Sequence, residues 1–408
     1  LRSRTARTSP CGGQSVMPVY LDYAATTPLD ARVLMAMQPY LTEVCGNPSS
    51  LHSVGKEAKR LLEKARALCA ASLGVPSETI YFTSGGTESD CIPLLSVLNR
   101  PQKGTVLVSS IEHPAVREQA ESLTKCGWRV VRIPATTGGI ITKEAVLSKL
   151  TDDTALVCVM AVNNETGAIQ PIKDIADALA KAAENKRKAK LHVDCVQAAG
   201  KILLELSHLS VASAAFSAHK IGGPRGIGIL YLADTIESFF RGGGQEKNIR
   251  SGTENVFGAL AFARCLERYC ISNTNEKARA RFETQKKLTK SFIQSLSEIA
   301  GCTIIPEARL DARHEDEYSP WIVQASFKNI PGQVMLRALD AEGFCVSTGS
   351  ACSSHKGQHK GGSAVLQAMN VSASVREGAL RFSFGPRTSE DAMKALAVKA
   401  GEIAAKFA

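Results

Sequence analysis

From Leu73 onward short apolar runs alternate with longer helical stretches, and this alternation constrains the fold more than any other feature of the chain. Strands separated by helical segments of a dozen or more residues mark βαβ units, which build a mostly parallel sheet flanked by helices. Ile80–Thr83, Thr105–Ser109, Arg129–Ile133, Ala155–Val162, Lys190–Val193, Ala214–Ser217 and Gly228–Leu232 are the expected strands, each bounded by Gly, Pro, Asn or a polar cluster. Gly55–Leu73 and Ile172–Lys186 are expected helices, and the charged run Asn255–Leu296 predicts a helix or helix pair leading to the rest of the chain. Beyond it, Trp321–Phe327, Gln333–Glu342, Phe344–Ser347, Ala379–Phe384 and Ser389–Phe407 predict a second, smaller α+β unit. The expected fold class is therefore α/β, and in such sheets ligands bind at the strand ends.

Composition narrows the function classes. With 408 residues, 44% of them hydrophobic and 22% charged, the chain is too rich in apolar residues for disorder and long enough for more than one domain. No stretch approaches the roughly 18 apolar residues that a membrane-spanning helix needs. The net charge of +10 is scattered, apart from Lys186, Arg187, Lys188 and Lys190, so it predicts a solvated surface and no direct nucleic-acid partner. The 12 cysteines are spread singly with no CxxC pair, which predicts reduced thiols in a cytosol-like compartment. Residues 1–16 carry Arg2, Arg4 and Arg7 and no acid, and are expected to lie outside the fold. They fit a non-native or upstream extension ahead of Met17 better than an organelle transit remnant, because they show no amphipathic periodicity. A cytoplasmic location is expected, with a mitochondrial one as the alternative.

Four clusters follow expected strands. Thr83-Ser84-Gly85-Gly86-Thr87-Glu88-Ser89 joins a strand to a helix, and backbone N–H groups with a Thr hydroxyl at a helix start suit a phosphate. A plain strand-to-helix turn fits that motif equally well. Ser217-Ala218-His219-Lys220, ahead of a Gly/Pro-rich turn, places a lysine where partial desolvation makes it nucleophilic toward an aldehyde. His192-Val193-Asp194-Cys195-Val196-Gln197 brings a carboxylate out of an apolar strand end, where it needs a cation such as a protonated pyridine nitrogen, or else caps the next helix. His113, after Glu112, offers a ring able to stack on a flat cofactor, although a lone histidine is commonly a packed or surface residue. Jointly the four are what a pyridoxal 5′-phosphate (PLP) enzyme requires. In the smaller unit, Ser347-Thr348-Gly349-Ser350-Ala351-Cys352-Ser353-Ser354 surrounds one thiol with small polar residues, as suits an accessible nucleophile. Cys69, Cys158, Cys265 and Cys345 lie in apolar-periodic segments and are expected in the core. No metal site is expected, since the spacing of His355 and His359 after Cys352 matches no standard zinc site.

These motifs resemble the cysteine desulfurases of the NifS/IscS type, in the class V, fold-type I group of PLP enzymes. From about Pro18 to the C-terminus, Leu21-Asp22-Tyr23-Ala24-Ala25-Thr26-Thr27-Pro28, Gly85-Gly86-Thr87-Glu88, Asn163-Asn164-Glu165-Thr166-Gly167, the Asp194 and Lys220 motifs, Arg250-Ser251-Gly252-Thr253 and Ser350-Ala351-Cys352 occur in the family's order. The Cys352 motif is similar to that of the branch with an extended catalytic loop.

The resemblance implies a large PLP-binding domain over 30–270 and a small domain over 17–29 and 271–408. It implies that Lys220 tethers the cofactor and moves protons, Asp194 pairs with the pyridine nitrogen, Gln197 reaches the phenolic oxygen and His113 stacks on the ring and serves as base. Gly86, Thr87, Ser217 and His219 would hold the phosphate, with Thr253 coming from the second subunit of a homodimer. Asn164 and Arg381 would bind the carboxylate of L-cysteine, Cys352 would carry a persulfide, and the sulfur would pass to an acceptor or scaffold protein. The alternatives are a selenocysteine lyase, a cystine C–S lyase, a silent scaffold and a nucleic-acid binder. Intact Lys220, Asp194 and Cys352 disfavour the scaffold, and the absence of a basic groove motif disfavours the last. Two features depart from the family: Asp90-Cys91 where two asparagines are usual, and the long basic stretch Lys356–Gly362, which suits an acidic acceptor surface.

Overall fold

The computed structural model describes residues 18–43, 45–183, 189–204, 206–272, 274–349 and 363–407. Twelve strands are present among them. β1 is Val19–Tyr20, β2 Ile80–Thr83, β3 Thr105–Ser109, β4 Arg129–Ile133, β5 Thr154–Cys158, β6 Lys190–Asp194, β7 Ser213–Ser217 and β8 Gly228–Leu232. β9 is Cys302–Ile305, β10 Ile322–Phe327, β11 Phe344–Cys345 and β12 Ala379–Ser383. Strands β2 to β8 form one seven-stranded sheet in the order β2-β8-β7-β6-β5-β3-β4. Every neighbour pair from β7 to β4 is parallel, and only β8 runs against the rest. The loops after β2, β3, β5, β6 and β7 therefore all leave from the same edge of the sheet.

Residue pattern explains this arrangement. β3, β5, β7 and β8 are buried at every position, as strands covered on both faces must be. The helix Ser53–Leu73 presents Leu61, Leu62, Ala65, Cys69 and Leu73 at helical spacing and packs on the helix Val256–Tyr269, whose small residues Ala259, Ala261 and Ala263 permit close approach. Gly74, at φ +69°, ends the first of these helices in the left-handed conformation that favours glycine.

Edge strand β2 has its free backbone groups covered by a buried ion pair. Arg66 Nη1 donates to Ile80 O at 2.7 Å, and Phe82 N donates to Glu246 Oε2 at 2.8 Å. Arg66 and Glu246 meet through two 2.7 Å bonds. Unpaired strand groups taken from water would otherwise carry a desolvation cost.

A three-stranded antiparallel sheet, β12-β10-β9, and the parallel pair β1-β11 make up the second unit. Its apolar core joins Leu21 and Ala24 to Phe292, Ile322, Phe382, Phe384 and Leu396 and is separate from the core around the large sheet. Val365, Leu366 and Met369, by contrast, pack into the large-sheet core.

One expected strand is shorter than its apolar run. The strand predicted over Ala155–Val162 ends at Cys158, because Asn163 Oδ1 draws Glu165 N, Thr166 N and the Thr166 hydroxyl into a tight turn. The run Asn255–Leu296 is a pair of helices, Val256–Tyr269 and Glu276–Ser297, the second capped by Asn275. Cys69, Cys158 and Cys265 are buried as expected, whereas Cys345 is half-buried, since its two-residue strand pairs only with β1. Among the described residues every cysteine is a free thiol. None of the described helices is long and apolar enough to cross a membrane.

Candidate active site

Ten of the residues singled out in the sequence line one cavity at the shared sheet edge. Gly86 and Thr87 open the helix Gly86–Ser96 directly after β2. His113 N-caps the helix Pro114–Lys125, and Asn164 lies in the Asn163 turn after β5. Asp194 ends β6, with Gln197 in the following turn, and Ser217 ends β7 ahead of His219 and Lys220. Arg381 reaches the cavity from β12, so the second sheet closes it. Thr253 is exposed and does not line this cavity. Cys352 lies outside the described residues, as do His355 and His359. The two described residues that flank its segment both lie against buried Glu165. Ser363 Oγ donates to Glu165 Oε2 at 2.5 Å, and a Cβ on Gly349 would come within 3.0 Å of the same oxygen.

The lysine is held by backbone carbonyls. Lys220 Nζ donates to Ala24 O at 2.7 Å and to Ala25 O at 2.9 Å, in the N-terminal motif. Asp194 is 5% exposed, and its Oδ1 accepts from Val196 N at 2.9 Å. Burial, reinforced by nearby Asp90, pushes its carboxyl up to about 8. Among the described residues no cation bridges it, so the floor of the cavity carries an acid suited to a cationic guest. Glu112 is likewise pushed up to about 7 by burial, while Ser109 and Met160 N donate to its Oε1.

Burial and the positive charge of Lys220 hold His113 and His219 down to about 4, so both rings are neutral near pH 7. His113 Nδ1 accepts from Ala115 N at 3.1 Å. The neutral ring therefore carries its proton on Nε2 and offers the cavity a donor. Accepting a proton at Nε2 would require release of that cap.

Arg381 is 2% exposed. Its Nη2 donates to Asp22 Oδ1 at 2.8 Å and its Nη1 to Asn164 O at 2.9 Å, while its buried Nε has no hydrogen-bond partner among the described residues. Sequence reasoning missed Asp22 as the counter-charge that aims this guanidinium. It also missed the buried Asp90–His192–Ser213 chain behind Asp194, with His192 Nε2 3.1 Å from Asp90 and Nδ1 2.8 Å from Ser213. Asp22 and Asp90 stood in motifs already noted, but their partners lie 359 and 102 residues away along the chain.

Comparison with known proteins fits this geometry. The Aminotransferase class-V family profile matches residues 19–396. The chain belongs to the class-V aminotransferase family. Among its relatives in that family, "Cysteine desulfurase IscS" of Methanosarcina thermophila is 36% identical over 397 residues, 95% of this chain and 93% of the relative. "Cysteine desulfurase NifS" of Azotobacter vinelandii is 34% identical over 377 residues, 91% of this chain and 89% of the relative. A solved structure described as a NifS-like protein superposes with a TM-score of 0.82 at 34% identity, covering 96% of this chain and 100% of that one. The architecture is that of fold-type I, as expected for a class-V aminotransferase family member.

The cavity also fits the family's cofactor on its own terms. A Cβ on Gly86 would stand 2.7 Å from Val196 Cγ2, so this glycine keeps open a space at a helix start with Thr87 and Ser217 beside it. A buried acid, a lysine amine and a flat histidine surround the remainder. Among the described residues no cluster of His, Cys, Asp and Glu could hold a metal ion.

Proposed function

We propose that the protein is a PLP-dependent L-cysteine desulfurase that converts L-cysteine to L-alanine and carries the sulfur as a persulfide on Cys352. One observation carries this reading: a lysine amine, a buried acid, a glycine-opened helix start and a buried arginine line a single cavity. When bound, PLP would supply an electron sink that acidifies the Cα proton of an amino acid and, after that proton is lost, stabilises the electron pair left on carbon when a thiolate takes the sulfur.

The remaining steps belong to this chain. Asp194 holds the proton on the ring nitrogen, and Gly86, Thr87, Ser217 and His219 receive the phosphate. Lys220, released from Ala24 O and Ala25 O, tethers the cofactor and then takes and returns protons at Nζ. Arg381, aimed by Asp22, grips the substrate carboxylate beside Asn164, because a guanidinium fork matches that group. His113 covers the ring and donates from Nε2. The Cys352 thiolate attacks the substrate sulfur; the C–S bond breaks with its electron pair left on carbon, an S–S bond forms on Cys352, and the carbon takes up a proton to give alanine.

We extend the reading to a homodimer in which Thr253 serves the partner's site, in keeping with its exposure and its place outside this cavity. A sulfur acceptor or scaffold protein in iron–sulfur cluster or thio-modification pathways would receive the sulfur, in a cytoplasmic setting. The two apolar cores support division into a large cofactor-binding unit and a smaller unit carrying the Cys352 segment. To test the assignment, the chain is loaded with PLP, reduced with borohydride and digested. The cofactor is expected on Lys220, and Lys220→Ala is expected to abolish both the label and alanine formation from L-cysteine. A label on another lysine, or full activity of Lys220→Ala, contradicts it.

A further inference from the structure

Lys201 is a buried lysine that the proposed chemistry leaves without a task. It is 6% exposed, and burial next to Lys220 and Arg381 holds its amine well below the usual lysine range. A lysine is seldom buried without a specific partner. Its Nζ donates to Gln197 Oε1 at 2.5 Å, and Gln197 Nε2 donates in turn to Ala24 O at 2.9 Å, the carbonyl that also accepts from Lys220 Nζ. The backbone fixes the lysine from behind, since Lys201 O accepts from Trp321 Nε1 at 2.8 Å and Lys201 N donates to Ala198 O at 3.0 Å. Trp321 belongs to the core of the second unit, so the contact also crosses between the two cores.

The two ends of a glutamine amide are nearly alike in shape and opposite in hydrogen-bonding role. A side chain turned end for end would offer an oxygen lone pair where an N–H is wanted. An amine donor on one side and the Ala24 carbonyl on the other leave one orientation: Oε1 toward Lys201 and the NH₂ group toward Ala24 and the cavity. We propose that Lys201 is a positioning residue that locks the Gln197 amide with its NH₂ group facing the cofactor cavity, ready to donate to an anionic ring oxygen of the cofactor. This inference rests on the PLP reading above and adds a residue that touches neither cofactor nor substrate.

The test is a double-mutant cycle on the purified full-length chain. Lys201→Met, Gln197→Leu and the double variant are titrated with PLP, reading the dissociation constant and the visible absorption maximum of the bound cofactor. Lys201→Met in the otherwise native chain is expected to weaken PLP binding by about 2–10-fold, the range for one hydrogen bond, and to move the absorption maximum in the same direction as Gln197→Leu. In the Gln197→Leu background the same change is expected to have no further effect on either readout. Equal effects in both backgrounds overturn the proposal, because the amine would then act on the site directly through its charge. So does a Lys201→Met chain whose affinity and spectrum match the native ones. Should the methionine variant not fold, Lys201→Leu, which likewise offers Gln197 no donor, replaces it in the same cycle with the same criteria. If the native chain itself develops no visible band with PLP, the underlying cofactor reading fails, which is a different result from an additive cycle.

Discussion

At the scale of single residues, Asp194 sits 5% exposed at the end of β6 and faces the cavity that Lys220 also lines. Its folded-state carboxyl, pushed up to about 8, holds a proton over the interval in which the unfolded chain has already lost it. The native state of the cofactor-free chain therefore binds more protons, and the stability this contributes is lost as pH rises toward 8. Glu112, pushed up to about 7, acts in the same sense. His113, His192 and His219, held down to about 4, act in the opposite sense, since the unfolded chain binds the extra protons between about 4 and the ordinary histidine value of about 6.5. Between pH 6.5 and 8 the raised carboxyls, Asp90 among them, lower stability as pH rises, while Lys201, held below the ordinary lysine range, acts against them. Over that window the thermal midpoint of the cofactor-free chain should fall less, or rise more, with pH in Asp194→Asn than in the native protein. Parallel slopes for the two proteins would contradict the buried-acid assignment. The residues at Gly86, Thr87, Asp194, Ser217 and Lys220 were legible in the sequence because each closes a strand or opens the turn after it. Lys201 and Asp22 were not, because their roles exist only through partners brought together by folding.

At the scale of elements, β2 is the edge strand that delivers Gly86 and Thr87 to the cavity, so whatever holds this edge also holds the glycine turn. The holding pair is Arg66 from the helix Ser53–Leu73 and Glu246, a residue at φ +46° in a turn that lies 180 residues away from Arg66 in the chain. Their side chains are 7% and 1% exposed. Removing one partner of such a pair leaves the other charged and buried, which costs about 3–5 kcal/mol. Arg66→Met should lower the free energy of unfolding in urea by that amount and loosen PLP binding through β2. A loss below about 1 kcal/mol, the value of a surface pair, would contradict the role given to this edge. Element positions were legible where apolar runs were short and bounded: β2, β3, β4 and β8 have the bounds expected. The end of β5 was not, because Val159–Val162 keep the residue types of a strand while the Asn163 side chain turns the chain away. Nothing in local pattern announces that one asparagine oxygen will gather three donors.

At the scale of the whole molecule, the α/β class and the smaller α+β unit followed from the alternation of runs, whereas the joining of the two units around Arg381 did not. Arg381 lies in the three-stranded sheet, and its ion pair with Asp22, 359 residues earlier, ties the N-terminal motif to β12 at the mouth of the cavity. In the proposed reaction cofactor and substrate are therefore gripped from both units while Cys352 collects the sulfur. The most direct measurement mixes the PLP-loaded chain with L-cysteine in the absence of reductant and follows alanine and the mass of the Cys352 peptide together. One alanine per active site should form in a burst, matched by one added sulfur atom on Cys352, and Cys352→Ala should give neither. Alanine formed in step with sulfide while Cys352 stays unmodified would contradict the claim that this thiol carries the sulfur.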